Sequence, residues 1–322
     1  MSQVVTPNLL STMAVVLQKP EELVVTRLDL NAPGEGDLIV DMEWTGISTG
    51  TERLLWSGRM PMFPGLGYPL VPGYESVGRV VHVGAGGTRR LGERVFVPGA
   101  RCYGEVRGLF GGAASRVVVP ESRVTPINDS LGEQGVLLAL AATAYHAIAA
   151  ERSIHPALVV GHGVLGRLLA RLLVILAEQP PVVWESNASR MPGGHGYDVV
   201  HPDTDARRDY RTIYDVSGDA KLLDTLISRL APGGEVVLAG FYSESLSFAF
   251  PAAFMREARL RVAAEWKDSD LRAVKALVES GKLNLDGLIT HVSAASDAPS
   301  AYRTAFTDPA CLKMILDWRE LS

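Results

Sequence analysis

The 322-residue chain holds two cysteines, Cys102 and Cys311. That excludes a disulfide framework and a cysteine-rich zinc site. It has no long run of one charge sign and a formal net charge of −5, which argues against a nucleic-acid partner. Its longest apolar stretch, 135–150, is too short for a spanning helix and carries His146. No basic, apolar, small-residue leader pattern opens the sequence, and no internal repeat or low-complexity tract interrupts it. These absences lead to the expectation of a soluble cytoplasmic protein. What is present is core material: 47% apolar against 21% charged residues, a balance suited to folded domains and not to general disorder.

The organising stretch is Leu158-Val159-Val160-Gly161-His162-Gly163-Val164-Leu165-Gly166. An apolar run feeds a G-x-G-x-x-G turn, and a helix-like segment from Arg167 to Glu178 follows. Strand, glycines and helix in that order are the context that a dinucleotide site requires. Gly161 permits the tight turn, Gly163 lets the backbone approach a pyrophosphate, and Gly166 lets helix and strand pack closely. The helix N-terminus then faces the phosphates. Val182-Val183-Trp184-Glu185 reads as the second strand and ends in an acid about twenty residues past the glycines, where a carboxylate binds the adenosine ribose. Glu185 repels a 2′-phosphate and favours NAD over NADP; Arg190 nearby is a cation able to tolerate that phosphate. The alternative is a glycine turn in some other α/β fold.

Before this stretch the pattern is of short strands (14–17, 23–25, 38–42, 76–83, 94–97 and 114–119) separated by Gly/Pro turns, with 1–12 as a loose arm and 57–73 as loop. Such a run predicts a compact β-rich domain. Residues 131–150 read as helix. Strands at 158–160, 182–185, 198–200, 211–216, 235–240 and 260–264 then alternate with helices, which predicts a parallel sheet. The Gly/Pro-rich stretch between Glu185 and Arg211 leaves room for only a degenerate crossover helix. Residues 270–280 form an amphipathic helix stopped at Gly281, and a mixed tail folds back onto the front. The expected class is α/β, with a β-rich domain at 1–138 and 267–322 and a doubly wound dinucleotide-binding domain at 139–266.

Four strings carry a family resemblance: Thr45-Gly46-Ile47-Ser48-Thr49-Gly50-Thr51-Glu52, Pro69-Leu70-Val71-Pro72-Gly73-Tyr74-Glu75-Ser76-Val77-Gly78, Ala141-Ala142-Thr143-Ala144-Tyr145-His146-Ala147 and Leu288-Ile289-Thr290-His291. With the glycine turn they resemble the medium-chain dehydrogenase/reductase superfamily of alcohol dehydrogenase type. The resemblance implies a GroES-like catalytic domain, a Rossmann cofactor domain, hydride transfer and, by analogy, a homodimer. Zinc-dependent members carry cysteine, histidine and cysteine ligands where this chain has Ser48, Tyr74 and Ala139. Their four-cysteine structural loop corresponds to 98–113, which offers only Cys102. Serine is a poor zinc ligand and alanine is none, so the implied metal content is none. Within the superfamily, the 46–52 string, the short cofactor domain and the tail around Asp286-Gly287-Leu288 are similar to the bacteriochlorophyllide a dehydrogenases. That similarity implies a chlorin or bacteriochlorin substrate whose 1-hydroxyethyl group is oxidised to acetyl, with NAD as acceptor.

Without zinc, side chains must hold the alcohol oxygen and relay its proton. Ser48, Thr51 and Tyr74 stand at or beside the metal positions and are the catalytic candidates; the alternative is that they fill space. Glu52 is a weaker base candidate, and Glu75 is expected to pair with a buried arginine such as Arg53. The cofactor candidates are Gly161, His162, Gly163, Val164, Leu165 and Gly166, with Glu185, Arg190 and Ser217. Thr143 joins them because the family sets it against the nicotinamide. His162 is expected to meet phosphate or solvent, His146 to be a satisfied core residue, and His195 and His201 to lie in loops. The apolar 60–68 loop reads either as a core cover or as a wall for a large flat ligand. Two rivals share these features: a zinc-free quinone or enoyl reductase using NADPH, and a non-catalytic dinucleotide-binding protein.

Overall fold

The computed structural model describes residues 10–62, 64–149, 155–177 and 179–321. Most of the expected N-terminal arm (1–9) and Glu178, the expected end of the helix after the glycine turn, lie outside them. The chain divides into two compact units: 1–136 with 291–306 and 314–322, and 137–290 with 307–313.

The first unit opens with β1 (Ser11–Lys19), β2 (Glu22–Asp29), β3 (Asp37–Ile47), α1 (Thr51–Trp56), β4 (Leu70–Val71), β5 (Ser76–Val83), β6 (Arg94–Val97), β7 (Arg107–Gly108), β8 (Arg116–Pro120) and β9 (Thr125–Pro126). β3 shows why these segments become strands. Leu38, Val40, Met42 and Trp44 are buried while Ile39, Asp41 and Glu43 are half-buried, the two-residue alternation of a strand with one face on a core. β1 begins at Ser11, so the expected arm gives way to strand earlier than the composition suggested. α1 falls in a stretch that the pattern left unassigned; six residues are too few for a helical period to show.

The second unit follows as α2 (Leu138–Ala149), β10 (Ala157–Val160), α3 (Val164–Leu176), β11 (Val182–Trp184), β12 (Asp198–Val200), β13 (Tyr210–Asp215), α4 (Leu223–Arg229), β14 (Leu230–Leu238), α5 (Phe250–Met255), β15 (Arg259–Val262) and α6 (Asp268–Glu279). Its six strands form one parallel sheet in the order β12-β11-β10-β13-β14-β15. The central strands are buried on both faces: Leu158, Val159, Ile213, Tyr214, Val236 and Val237 are all at most 1% exposed, which is why they read as continuous apolar runs. The strand order reverses between β10 and β13, and doubly wound sheets bind ligands at the carboxyl ends of strands at such a point. The degenerate crossover expected after Glu185 is present. Single 3-10 turns, Ala188–Arg190 and Pro202–Thr204, are the helical structure between β11 and β13 among the described residues.

The chain then returns to the first unit with β16 (His291–Ala294), α7 (Ala298–Thr307) and β17 (Met314–Asp317). β17 lies antiparallel on β3, Met314 opposite Ile47, and the larger sheet runs β16-β17-β3-β5-β6-β9 with β8 also on β3. The second sheet of this unit is β2-β1-β4-β7. The domain boundary expected at 267 requires correction. Residues 267–290 belong to the second unit, because α6 packs on α2 and Asp270 Oδ2 meets His146 Nδ1 at 2.8 Å.

Candidate active site and dinucleotide site

The glycine turn sits at the carboxyl end of β10. Gly161 has φ +105°, a left-handed conformation that L side chains rarely adopt, and its N–H donates to Trp184 O at 2.9 Å. Gly163 begins α3 with no side-chain cap, and a Cβ built on it meets nothing within 4 Å. A Cβ on Gly166 would stand 1.9 Å from Gly161 O. An uncapped helix N-terminus with open space above its first glycine fits a pyrophosphate. Val164 and Leu165 supply that first turn, Val164 from a buried position.

Glu185, at the end of β11, accepts from His162 N–H at 3.1 Å through Oε2 and from Asn187 N–H at 2.8 Å through Oε1. Arg190 donates from Nε to Pro309 O at 2.9 Å. Ser217 follows β13 and donates from both its N–H (2.9 Å) and its Oγ (2.6 Å) to Asp215 Oδ1; burial raises the Asp215 pKa, opposed by those bonds. Thr143 donates from Oγ1 to Ala139 O of its own helix at 3.1 Å.

His162 departs from expectation. Its side chain is fully buried, with Nδ1 2.7 Å from Arg190 O and Nε2 3.0 Å from the Tyr197 hydroxyl. It therefore meets neither phosphate nor solvent. The residue between the first two glycines turns its side chain under the loop, not toward the ligand side. Burial pushes its pKa down to about 4, so the imidazole is neutral near pH 7. His146 is satisfied by Asp270, as expected of a core histidine.

In the first unit, β3 ends at Ile47 and the chain enters α1 through Ser48-Thr49-Gly50. Ser48 is 4% exposed, and its Oγ lies 2.8 Å from the Tyr74 hydroxyl. The Thr51 side chain is near enough to work, with Ser48, toward lowering the Tyr74 pKa. The sequence thus brings three hydroxyls from two distant segments together. Burial and the neighbouring Glu75 charge raise the Tyr74 pKa far above that of a free phenol, outweighing the opposing effect of Ser48 and Thr51. The phenol is therefore neutral near pH 7. The Phe110 ring packs edge-on against it, centroids 5.1 Å apart, a contact the sequence did not announce.

The carboxylates are structural. Glu52 is fully buried; Oε1 accepts from Ser48 N–H at 3.1 Å and Oε2 from the Tyr302 hydroxyl of α7 at 2.5 Å. The return bond, Glu52 N–H to Ser48 O, is 3.0 Å, so this pair closes the turn that presents Ser48. Held by these partners, Glu52 anchors the turn that carries Ser48. Glu75 is buried, but Arg53 is exposed, which corrects the expected pairing: Arg53 lies on the outer face of α1. The Glu75 carboxylate lies over Gly46, where a Cβ would come within 2.5 Å of Oε2; that approach is why the motif has glycine there. The 60–68 loop is anchored by Met60, Leu66 and Tyr68 in a cluster with Leu17, Leu55, Leu70 and Leu109, while Met62 at its tip is 92% exposed. Among the described residues no group of three or more His, Cys, Asp or Glu is placed to hold a metal ion. Nor is any helix among them long and apolar enough to cross a membrane.

The comparisons agree with this arrangement. Residues 34–129 match the alcohol dehydrogenase GroES-like domain family. The 2-desacetyl-2-hydroxyethyl bacteriochlorophyllide A dehydrogenase of Cereibacter sphaeroides is 56% identical, over 96% of this chain and 98% of that protein. Its namesake from Rhodobacter capsulatus is 54% identical, over 97% and 99%. Among solved structures, 2R,3R-butanediol dehydrogenase from Bacillus subtilis superposes with a TM-score of 0.82 at 20% identity, covering 95% of this chain and 99% of that one; this likeness concerns the fold. The chain therefore belongs to the bacteriochlorophyllide a dehydrogenase family of medium-chain, GroES-like dehydrogenases, oxidoreductases that act on an alcohol with a nicotinamide dinucleotide.

Proposed function

We propose that this protein oxidises the 3-(1-hydroxyethyl) substituent of a bacteriochlorophyllide to 3-acetyl in bacteriochlorophyll a biosynthesis, with NAD as acceptor and without catalytic zinc. The observation that carries the substrate is identity above 50% along nearly the whole length of two relatives with that named substrate. The bound dinucleotide supplies the hydride acceptor. Gly161 and residues 163–166 would hold its pyrophosphate, and Glu185 would receive the adenosine ribose hydroxyls, which supports NAD over NADP.

The chain's own task is the alcohol oxygen. Oxidation breaks the carbinol C–H and the O–H, so the hydride leaves carbon and the proton leaves oxygen. Tyr74, a neutral phenol, donates a hydrogen bond to that oxygen as negative charge develops. Ser48, hydrogen-bonded to that phenol, and the neighbouring Thr51 pass the departing proton on to the cofactor ribose or to water, while the dinucleotide takes the hydride. With Ser48 committed to Tyr74, and Ala139 lacking any donor, the residues at the zinc-ligand positions do not fit the metal. Tyr74, Phe110 and the 60–68 loop suit a large flat ring system.

The proposal extends to a homodimer in the cytoplasm. Its support is the open edge strand β15, where Val262 is 74% exposed, and the exposed Phe250 and Phe254 of α5; unpaired strand edges with apolar side chains invite pairing. The function is tested by the absorption spectrum of the protein mixed with NAD and a 3-hydroxyethyl bacteriochlorin. Conversion to acetyl conjugates a carbonyl with the macrocycle and shifts the long-wavelength band. An unchanged spectrum, with NAD shown to bind, would refute the substrate assignment.

A further inference from the structure

The loop after Glu185 stands where a doubly wound fold ordinarily carries a crossover helix, and buried polar side chains hold it in place. Arg167 of α3, 6% exposed, donates from Nε to His162 O at 3.1 Å. It also donates from Nη2 to Arg190 O at 2.9 Å and to Pro192 O at 2.8 Å. Gly193 has φ +93°, and a Cβ there would fall 2.2 Å from Arg167 Nη1. The Pro192-Gly193-Gly194 composition is thus shaped by the guanidinium beneath it. The His162 ring completes the arrangement. Arg190 O can only accept, which assigns the imidazole proton to Nδ1. Nε2 is then an acceptor, and the Tyr197 hydroxyl donates a hydrogen bond to it at 3.0 Å. The nearby Arg171 charge works to lower the Tyr197 pKa against burial, and Arg171 itself donates to Asn284 O at 2.7 Å and Asp286 O at 3.0 Å.

We propose that His162 is a positioning residue for cofactor choice: its buried ring, with Tyr197 and Arg167, clamps the main chain at Arg190, keeping the Glu185 carboxylate in place and the Arg190 guanidinium on Pro309. This rests on the reading of Glu185 as the ribose acceptor. The physical logic is one of competing charges. Glu185 disfavours a 2′-phosphate only while it is held, and Arg190 is harmless to that discrimination only while its side chain is directed elsewhere. Both conditions depend on the same main-chain segment, because His162 holds Glu185 through its N–H and Arg190 through its ring. Releasing the ring leaves the His162 N–H on Glu185 but loosens the main chain at Arg190 and the 187–190 turn that carries the Asn187 N–H to the same carboxylate. The guanidinium can then leave Pro309 and the hold on the carboxylate weakens, and both changes favour NADP.

The experiment measures equilibrium dissociation constants for NAD and NADP, with the thermal midpoint of the cofactor-free protein, in the unaltered chain and in His162→Ala, His162→Asn and Tyr197→Phe. His162→Ala is expected to narrow the NAD preference by at least about fivefold, the loss of one buried hydrogen bond. His162→Asn, whose amide N–H can still donate to Arg190 O, should recover most of it. Tyr197→Phe removes only a hydroxyl and should narrow the preference in the same direction if His162→Ala does not fold. Equal weakening of both dinucleotides, or an unchanged ratio in the variants that fold, would overturn the proposal. Tighter NADP than NAD binding in the unaltered protein would instead overturn the reading of Glu185, and with it this proposal's premise.

Discussion

Ser48, Thr51 and Tyr74 gather three hydroxyls, with Ser48 Oγ 2.8 Å from the Tyr74 hydroxyl, and the proposed reaction needs one of them to donate to the alcohol oxygen. The phenol is the best placed to do so, since its raised pKa keeps it protonated across the working range. Removing one donor to a developing oxyanion typically costs ~10²–10³ in turnover. Tyr74→Phe should therefore bind NAD as the unaltered chain does and lose at least about tenfold in kcat, because the ring and its packing on Phe110 survive. Steady-state kinetics with a hydroxyethyl bacteriochlorin checks this. An unchanged kcat would make Tyr74 filler and move the oxygen to Ser48 or Thr51. At this scale the sequence was readable for residue types and unreadable for partners. Ser48 and Tyr74 stood out because they replace expected ligands. Whether Glu75 would meet Arg53, or His162 the phosphates, depended on side-chain direction, which spacing does not contain.

In the strand–turn–helix element β10–α3 the tightest approach is Gly166 against Gly161 O. A methyl group there has no room: its nearest atoms are backbone, 1.9 Å away, and backbone cannot rotate aside as a side chain does. Gly166→Ala should destabilise the protein by about 1–3 kcal/mol, the usual cost of overpacking, and weaken both NAD and NADP, since α3 must move off the sheet. Thermal denaturation with and without NAD measures both effects; a midpoint and affinity equal to the unaltered protein's would show that the turn adapts freely. This element was legible because each glycine has a separate steric reason. α1 and α5, six residues each, were not, since a helix shorter than two turns shows no period. The 186–197 loop was legible only as a missing helix; its replacement by a buried Arg167–His162–Tyr197 brace needed the fold to bring those residues together.

For the whole molecule two measurements follow. Metal analysis of the purified protein should find well under one zinc per chain, and chelation should leave turnover intact; one tightly held zinc per chain would contradict the reading of Ser48, Tyr74 and Ala139. Sedimentation should give a dimer, and Val262→Arg on the open edge of β15 should shift it toward monomer, because a charge at a strand edge opposes pairing. A monomeric unaltered protein would remove the homodimer from the proposal. The amino-acid sequence by itself determined the α/β class, the parallel sheet and the dinucleotide turn, and it set Ser48, Tyr74 and Ala139 at the positions where the family resemblance puts metal ligands. Each of these is written in local order: apolar period, glycine spacing, and residue identity at motif positions. Only the tertiary structure decided that 267–290 packs with the second unit through His146 and Asp270, that Glu52 is tied to Tyr302, and that His162 lies beneath its loop. Those outcomes join residues as many as 250 positions apart, and burial and hydrogen-bond satisfaction across such distances are settled by the folded chain as a whole.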